Sequence, residues 1–504
     1  MTSLSIQDHG DGLSVAVHFR RLVALLVVAA LADWLFFRQP LGVSISAFLA
    51  ALTIAAVAAN PFRAGTRETV ITIAVLIAGL APLAMGTSLL AACFGALATA
   101  YAALTFTSPE RPGWLARIGK SCWLIIDGSW QGFADITRAA SWWSHSDRGT
   151  VRVNSFLTWL VPVALSLVFV VLFAAANPLV EHWFTQLNLK AALFNLSLPR
   201  IVFWVIASLL VWPFIFMRGF SRLRERLGQE FRQPFNEPVS VPSFGTFLNA
   251  TVVVRSLVIF NVLFAVQTAL DVVYLWGGVA LPDGITYAEY AQRGAYPLIV
   301  TALLAAGFVV MTMQPGSNTE QSRTVRTLVF LWTGQNVLLV VSSMLRLDLY
   351  VEVYSLTYLR AAAFIWMALV TTGLVLIAAR IAFGRTNSWL VRMNLASLGL
   401  VLYICCFVNF PRIIADYNFT HSWETSGQGV LLDAAYLVSL GPQALPALDR
   451  HIERSRTIPV ALIRSRNRLA ERQLSEAQNW RAWTYRDAQI ARHLREPRNG
   501  TLFR

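Results

Sequence analysis

The chain has 504 residues, of which 56% are hydrophobic, 12% aromatic and only 13% charged, and its formal net charge is +14. A soluble domain carries about 25% charged residues, so this composition excludes an ordinary soluble protein and indicates a membrane protein. No run of Lys and Arg is interleaved with aromatic residues as in folded nucleic-acid-binding domains, so we expect no nucleic-acid partner. The basic excess instead predicts loops that face the cytoplasm and anionic lipid.

A helix that spans a membrane needs about 20 mostly apolar residues. Eleven stretches meet this requirement, and none shows the alternation of a β-barrel, so we predict an all-α integral membrane protein with about 11 transmembrane helices. The predicted spans cover residues 19–37, 41–59, 69–86, 88–106, 155–176, 198–217, 248–275, 295–313, 325–345, 355–380 and 389–409. The uncharged run 69–109 is about two spans long, so Pro82 and residues 86–88 predict a tight turn within it.

The basic residues predict the orientation. With the N-terminus inside, nineteen Arg and Lys residues fall in predicted inner segments and five in outer ones. An odd number of spans then places the tail outside, and one span more or fewer would move it inside. The predicted parts are a cytoplasmic N-terminal segment (1–18), four transmembrane helices (19–106), a cytoplasmic amphipathic connection (107–153), a seven-helix transmembrane core (154–410) and an extracytoplasmic, helical, Arg-rich tail (411–504).

Three further segments have patterns of their own. The connection 107–153 mixes five Trp residues with scattered basic ones, which is typical of a helix in the membrane interface. The Arg-rich loop 218–235 predicts contact with anionic lipid, or else a docking site for a soluble partner. In the tail, residues 431–455 predict a helix, a Gly-Pro break and a second helix, and residues 460–496 are amphipathic and Arg-rich.

Ionisable and amide side chains inside the predicted bundle are the candidate functional residues. Each charge at mid-bilayer costs on the order of 2.5–3.5 kcal/mol, so those present need a partner. Gln267 and Asp271 share one helix face at a spacing of four, and Gln335 and Arg346 share a face of another helix at a spacing of eleven. We hypothesise a polar cleft open to the outside, lined by Gln267, Asp271, Glu289, Arg293, Gln335, Arg346 and Arg360.

In this hypothesis Asp271 pairs with Arg346 or Arg360, and the segment 283–296 forms a lid. The alternative is that these charges are ion pairs that hold the bundle together. Glu289 has a second alternative of its own, because Thr286-x-x-Glu289 is the pattern of a capping box at a helix N-terminus.

The sequence offers little support for catalysis. It has no phosphate-binding loop, no H-E-x-x-H and no G-x-S-x-G motif, and none of its seven His lies in a predicted span. The four Cys share no metal-like spacing and are typical of apolar packing residues. We therefore predict no catalytic, cofactor-binding or metal-binding residue, and a membrane-embedded enzyme is the least favoured function.

Three runs resemble a known family: LWGGVALPDGITYAEYAQRGAYPLIVTALLAAGFV, LRLDLYVEVYSLTYLRAAAFIWM and LDAAYLVSLGPQALPALD. They are similar to the bacterial polytopic membrane family called domain of unknown function 4173, with its neighbour 4153. The resemblance covers about residues 150–450, and YAEYAQRG is its most specific piece. It implies a multi-pass protein of the bacterial inner membrane and supplies no activity, substrate or site residue.

Two functions remain open at this point. One is a transporter or permease-like protein that takes a small-molecule substrate at the outward-facing cleft. It should show an internal repeat and broken helices, and no repeat is visible. The other is a non-transporting envelope sensor, scaffold or assembly factor that acts through its Arg-rich inner loops and its tail.

Overall fold

The computed structural model describes residues 4–108, 113–126, 198–217, 250–276, 322–427, 429–454 and 459–496, together with residues 128, 166, 304, 307 and 308. Every regular element in these ranges is helical, which confirms the predicted all-α class. The long helices are α1 (Leu4–Phe36), α2 (Val43–Ala59), α3 (Thr66–Met85), α4 (Leu89–Thr107), α5 (Leu198–Ile215), α6 (Ala250–Asp271), α7 (Arg323–Tyr354), α8 (Tyr358–Ala382) and α9 (Asn387–Phe407). Helix α6 continues into a π-helical turn, Val272–Trp276.

The tail contains shorter helices. They are α10 (Phe410–Thr420), α11 (Trp423–Ser426), α12 (Ala434–Ser439), α13 (Leu445–Arg454), α14 (Val460–Glu476) and α15 (Tyr485–Arg495), with 3₁₀ turns at Pro442–Ala444 and Trp480–Ala482. The helix, Gly-Pro break and second helix predicted for 431–455 are therefore present as α12, the first 3₁₀ turn and α13.

Six described helices are long and apolar enough to cross a membrane, and this length and composition indicate a membrane protein. They are Thr66–Met85, Leu89–Thr107, Thr251–Tyr274, Arg323–Tyr354, Tyr358–Ala382 and Asn387–Phe407. Val43–Ala59 and Pro199–Ile215 are shorter apolar helices. The count of eleven spans stays a prediction, since most of the spans predicted at 155–176 and 295–313 lies outside the described residues.

Helix α7 differs from its prediction in length. Its predicted span ends at 345, whereas the helix continues to Tyr354. The helix thus carries Arg346, Asp348 and Glu352 beyond the end of its predicted apolar span. Similarly, α1 begins at Leu4, so the polar segment predicted at 1–18 continues the first apolar helix.

The chain divides into two compact units, and residues 1–219 with 476–488 form the first. Within it α1 packs on α2 and α5, and α2 packs on α3 and α4. The turn predicted inside the uncharged run lies between Met85 and Leu89, where the Ser88 hydroxyl caps α4 by accepting from the Ala91 amide at 3.1 Å. Helices α3 and α4 approach closely at Gly79, where a Cβ would lie only 2.2 Å from the Cβ of Ala98.

Polar contacts fasten both ends of the first unit. At one end the Asn60 side chain donates to the carbonyls of Phe214 (3.3 Å) and Ile215 (3.2 Å), and Arg21 donates to its Oδ1 at 3.1 Å. At the other end Arg200 pairs with Asp33, which also accepts from the Trp204 indole at 2.9 Å. Asp33 is therefore a partnered acid that joins α1 to α5.

The tail segment 476–488 packs on the loop between α1 and α2. The Val43 amide donates to the Trp483 carbonyl at 2.9 Å, and the Asn479 side chain donates to Gln39 at 2.9 Å. The 3₁₀ turn Trp480–Ala482 packs against Gly42, where a Cβ would lie 2.3 Å from the carbonyl carbon of Ala482. This part of the tail therefore lies at the α1–α2 loop, for which the sequence predicts the outer side.

The second unit holds residues 220–475 and 489–504. In it α6 packs on α7, α7 on α8 and α8 on α9. Its apolar core combines these helices through Val253, Leu257, Val325, Val329, Trp332, Ile377, Ile381 and Leu390. The tail helices have a second apolar core of their own, where α10 packs on α13. Asn418 of α10 clamps the main chain of Leu356, accepting from its amide at 2.7 Å and donating to its carbonyl at 2.9 Å.

Candidate functional site

A buried ion pair lies between α6 and α7. The Arg346 guanidinium donates through Nη2 to Oδ1 of Asp271, and the side chains are 3% and 0% exposed. Of the two partners that the sequence allows for Asp271, the structure shows Arg346. Both helices are long and apolar, so the pair places two opposite charges in an apolar environment. Such a pair tolerates burial only while both members are present.

Two features of α6 shape the site around Asp271. Gln267, one turn earlier, donates to Oδ1 of Asp271 at 3.1 Å, as their shared face predicts. Directly after Asp271 the helix widens into the π-helical turn Val272–Trp276. Because π-turns insert a residue and loosen the regular hydrogen-bond ladder, they occur often at functional sites. The carboxylate thus lies where α6 loses its regularity.

Gln335 belongs to a different level of the α6–α7 interface. Its side chain donates to the Asn261 carbonyl at 3.2 Å, and the Asn261 side chain donates to the Leu328 carbonyl at 3.1 Å. Eleven residues separate Gln335 from Arg346, which is about 16 Å along a helix. Gln335 therefore cross-links the same two helices about three turns away from the ion pair.

Arg360 stabilises the junction between α7 and α8. Its guanidinium donates to the carbonyls of Tyr354 and Ser355, and it lies 4.6 Å from the ring centroid of Tyr350. Ser355 has a φ of 68°, a left-handed backbone that costs free energy in a non-glycine residue, so these bonds support a strained turn. The described contacts of Arg360 thus serve the turn and do not include Asp271.

The remaining predicted cleft residues, Glu289 and Arg293, lie outside the described residues, as does the lid predicted at 283–296. The structure brings together Gln267, Asp271 and Arg346. The described contacts of Gln335 and Arg360 are with other residues.

Sequence reasoning missed a charged cluster in the tail. Arg466 of α14 donates to both carboxylate oxygens of Asp449 on α13, at 2.7 and 3.3 Å, and His493 of α15 lies 3.1 Å from Oδ2. Asp449 is 1% exposed, so three tail helices meet on one buried carboxylate. The only sequence signal was an amphipathic pattern, which shows that a face is buried without showing which partners it meets.

Two cavities lie elsewhere in the second unit. One, of about 280 Å³, lies between α7, α8 and α10, and the other, of about 290 Å³, lies between α8, α9 and the start of α10. Neither includes Asp271 or Arg346 in its walls. Tyr417 lines the first cavity, and its burial, then the charges of Asp348 and Glu352, raise the pKa of its phenol. No group of three or more His, Cys, Asp or Glu side chains suited to a metal occurs among the described residues.

Comparison with known families gives one match. The model of the family described as domain of unknown function (DUF4153) matches residues 21–451. The chain belongs to this family. DUF4153 is the neighbour in the resemblance drawn from the sequence, and its match reaches some 130 residues further towards the N-terminus than that resemblance. The DUF4153 region contains both members of the buried ion pair and ends within α13. No curated protein and no solved structure matches the chain.

Proposed function

We propose that this DUF4153 protein is a transporter or permease-like protein of the bacterial inner membrane, with a solute or coupling-ion site at Asp271 and Arg346. The observation that carries the proposal is the burial of this ion pair between two apolar helices, beside a π-turn. Intramembrane charges are costly and are found mainly on substrate or ion pathways. A pair of this kind can exchange its internal partner for a charged solute or a proton and so couple binding to movement of α6 against α7.

The predicted orientation, with the N-terminus inside and the tail outside, belongs to the same proposal. It is supported by the segment 476–488, which packs on the predicted outer loop between α1 and α2. Arg200 and Asp33 support it as well, because they pair at the same predicted end of α1. An outward-facing site follows, since Asp271 lies near the end of α6 that this orientation places outside.

Single-cysteine labelling tests the orientation. In a background without the four native Cys, we expect Leu41→Cys and Ser475→Cys to react with an impermeant thiol reagent in intact cells. Arg385→Cys should react only after lysis. Labelling of position 41 without position 475 would place the tail inside and remove the support from the loop contact.

Transport itself is tested in proteoliposomes on a solid-supported membrane. Pools of amino acids, organic acids, amines and inorganic ions are applied, and we expect at least one pool to evoke a current in the wild type that Asp271→Asn abolishes. The matched control is Asp33→Asn, because Asp33 also pairs with an Arg between two apolar helices, but in the first unit. A current unchanged by Asp271→Asn, or absent from every pool, contradicts the proposal.

A second function, an envelope scaffold or sensor, is favoured by the organisation of the tail. Its helices have an apolar core and the buried Asp449 cluster, and Asn418 fixes them to the turn between α7 and α8. In that case deletion of α14 and α15 should abolish the cellular function, whereas Asp271→Asn should leave it intact.

A further inference from the structure

The two cavities of the second unit form a pair of apolar grooves on either side of the start of α8. The first groove is walled by Val351, Leu356, Phe364 and Ile413, and the second by Trp366, Leu398, Leu402 and Cys405. Ala361, Ile365 and Phe410 line both, so the grooves share one wall. Two apolar grooves that share one wall suit two acyl chains joined at one end.

The grooves lie where the apolar helices end. Helix α10 follows α9 after only Val408 and Asn409, and the Asn409 side chain caps its first turn by accepting from the Arg412 amide. Its buried face is apolar apart from Asn418, whereas Arg412 and Asp416 are partly exposed. An amphipathic helix placed directly after a spanning helix is typical of the boundary between acyl chains and headgroups.

The rim of the first groove is acidic. Asp348 and Glu352 are exposed, lie one turn apart on α7 and both act electrostatically on Tyr417 in the groove wall. Neither carboxylate has a hydrogen-bond or ion-pair partner among the described residues. Two like charges at this spacing repel each other, and a cation between them would relieve that repulsion. The complementary headgroup is therefore cationic at the point where it meets α7.

We propose that the twin grooves bind a diacyl phospholipid whose headgroup carries a primary amine. Its acyl chains occupy the two slots, and its ammonium group donates hydrogen bonds to Asp348 and Glu352. A primary ammonium has three donors, whereas a quaternary ammonium has the same charge and none. An anionic headgroup meets two carboxylates and is disfavoured. The site is separate from the Asp271–Arg346 pair and does not depend on it.

The test is native mass spectrometry of the purified, delipidated full-length protein. The probes are phosphatidylethanolamine, its mono- and dimethylated forms, phosphatidylcholine and phosphatidylglycerol, all with identical acyl chains. We expect affinity to fall with each added methyl group, to about three- to fivefold weaker for phosphatidylcholine, as loss of an exposed charge-assisted interaction implies. Phosphatidylglycerol should bind more weakly still.

Two pairs of variants separate the headgroup from the grooves. The double variant Asp348→Asn/Glu352→Gln should bind the whole methylation series equally, whereas Glu471→Gln, an exposed acid of α14, should keep the preference. Ala361→Phe fills the shared wall and should abolish tight binding of every lipid, whereas Ala368→Phe, two turns along α8 and outside both grooves, should not. Thermal unfolding midpoints check that Ala361→Phe is folded.

Three results would overturn the proposal. One is equal or tighter binding of phosphatidylglycerol, which would identify an anionic-lipid site. Another is an amine preference that survives in the double carboxamide variant. The third is absence of any headgroup preference in the wild type, which would mean that the grooves take bulk lipid or a segment of another protein.

Discussion

Replacement of the members of the buried pair, singly and together, tests how α6 and α7 are held. Asp271→Leu removes the carboxylate that Arg346 contacts, and Arg346→Met removes the guanidinium that Asp271 contacts. With exposures of 0% and 3%, neither remaining charge can be solvated without local opening. We expect each single variant to lose about 3–5 kcal/mol of stability, as for other buried pairs from which one partner is removed.

The double variant Asp271→Leu/Arg346→Met should behave differently, because it removes both charges of the pair. Replacement of a buried pair by apolar side chains of similar volume is neutral or stabilising by about 1–4 kcal/mol. The double-mutant cycle formed by these three variants and the wild type should therefore give a coupling energy well above the roughly 0.5 kcal/mol seen for independent sites.

Thermal unfolding in detergent is the assay. For units of this size the single losses correspond to roughly 6–20 °C in melting temperature. Asp33→Asn is the control, and its loss should be smaller because Asp33 and Arg200 are 12% and 22% exposed. If both single variants melt within 2 °C, roughly, of the wild type, the pair is solvated and the reasoning fails.

Three further predictions concern the tail. Asn418→Ala removes both hydrogen bonds to Leu356 and should cost about 1–3 kcal/mol, seen as faster proteolysis within α10–α13 than in Asn467→Ala. Burial lowers the pKa of His451, so the unfolded state binds a proton at this side chain more readily than the folded state. The stability of the tail should therefore fall as the pH drops below about 6.5. In unfolding measured over a series of pH values, His451→Gln should remove this dependence. Gly42→Ala places a Cβ 2.3 Å from the Ala482 carbonyl carbon and should speed hydrogen exchange of the Val43 amide, which donates to Trp483 at this contact, whereas Gly65→Ala, with nothing within 4 Å, should not.

The sequence predicted the all-α class because the hydropathy of a segment and the thickness of a bilayer are enough to identify a spanning helix. It also predicted that Gln267 and Asp271 share a face, which depends only on the helical period. The same period placed Gln335 and Arg346 on one face, at different heights, but could not tell which residues of α6 each of them contacts. That distinction depends on the register of two packed helices, which no local pattern encodes.

Partners far apart in the chain were the least predictable. Asp33 meets Arg200 across 167 positions, and Arg466 meets Asp449 between two amphipathic helices with several other Arg residues to choose from. Arg380 lies at the end of α8, where a charged side chain is expected to face the inner surface. It is nevertheless buried, with 1% of it exposed. In each case the sequence supplies the charge, whereas only the packing of the helices selects its environment.

The two proposed functions make opposite demands on the Asp271–Arg346 pair, and this is what allows them to be separated. If the pair only holds α6 to α7, the apolar double variant should match or exceed the wild type in stability and keep the cellular function. If it is a transport site, the same stable variant should be inactive, because a solute or proton finds no charge there. A variant that is more stable and inactive therefore identifies the pair as functional, since loss of folding cannot explain its loss of activity.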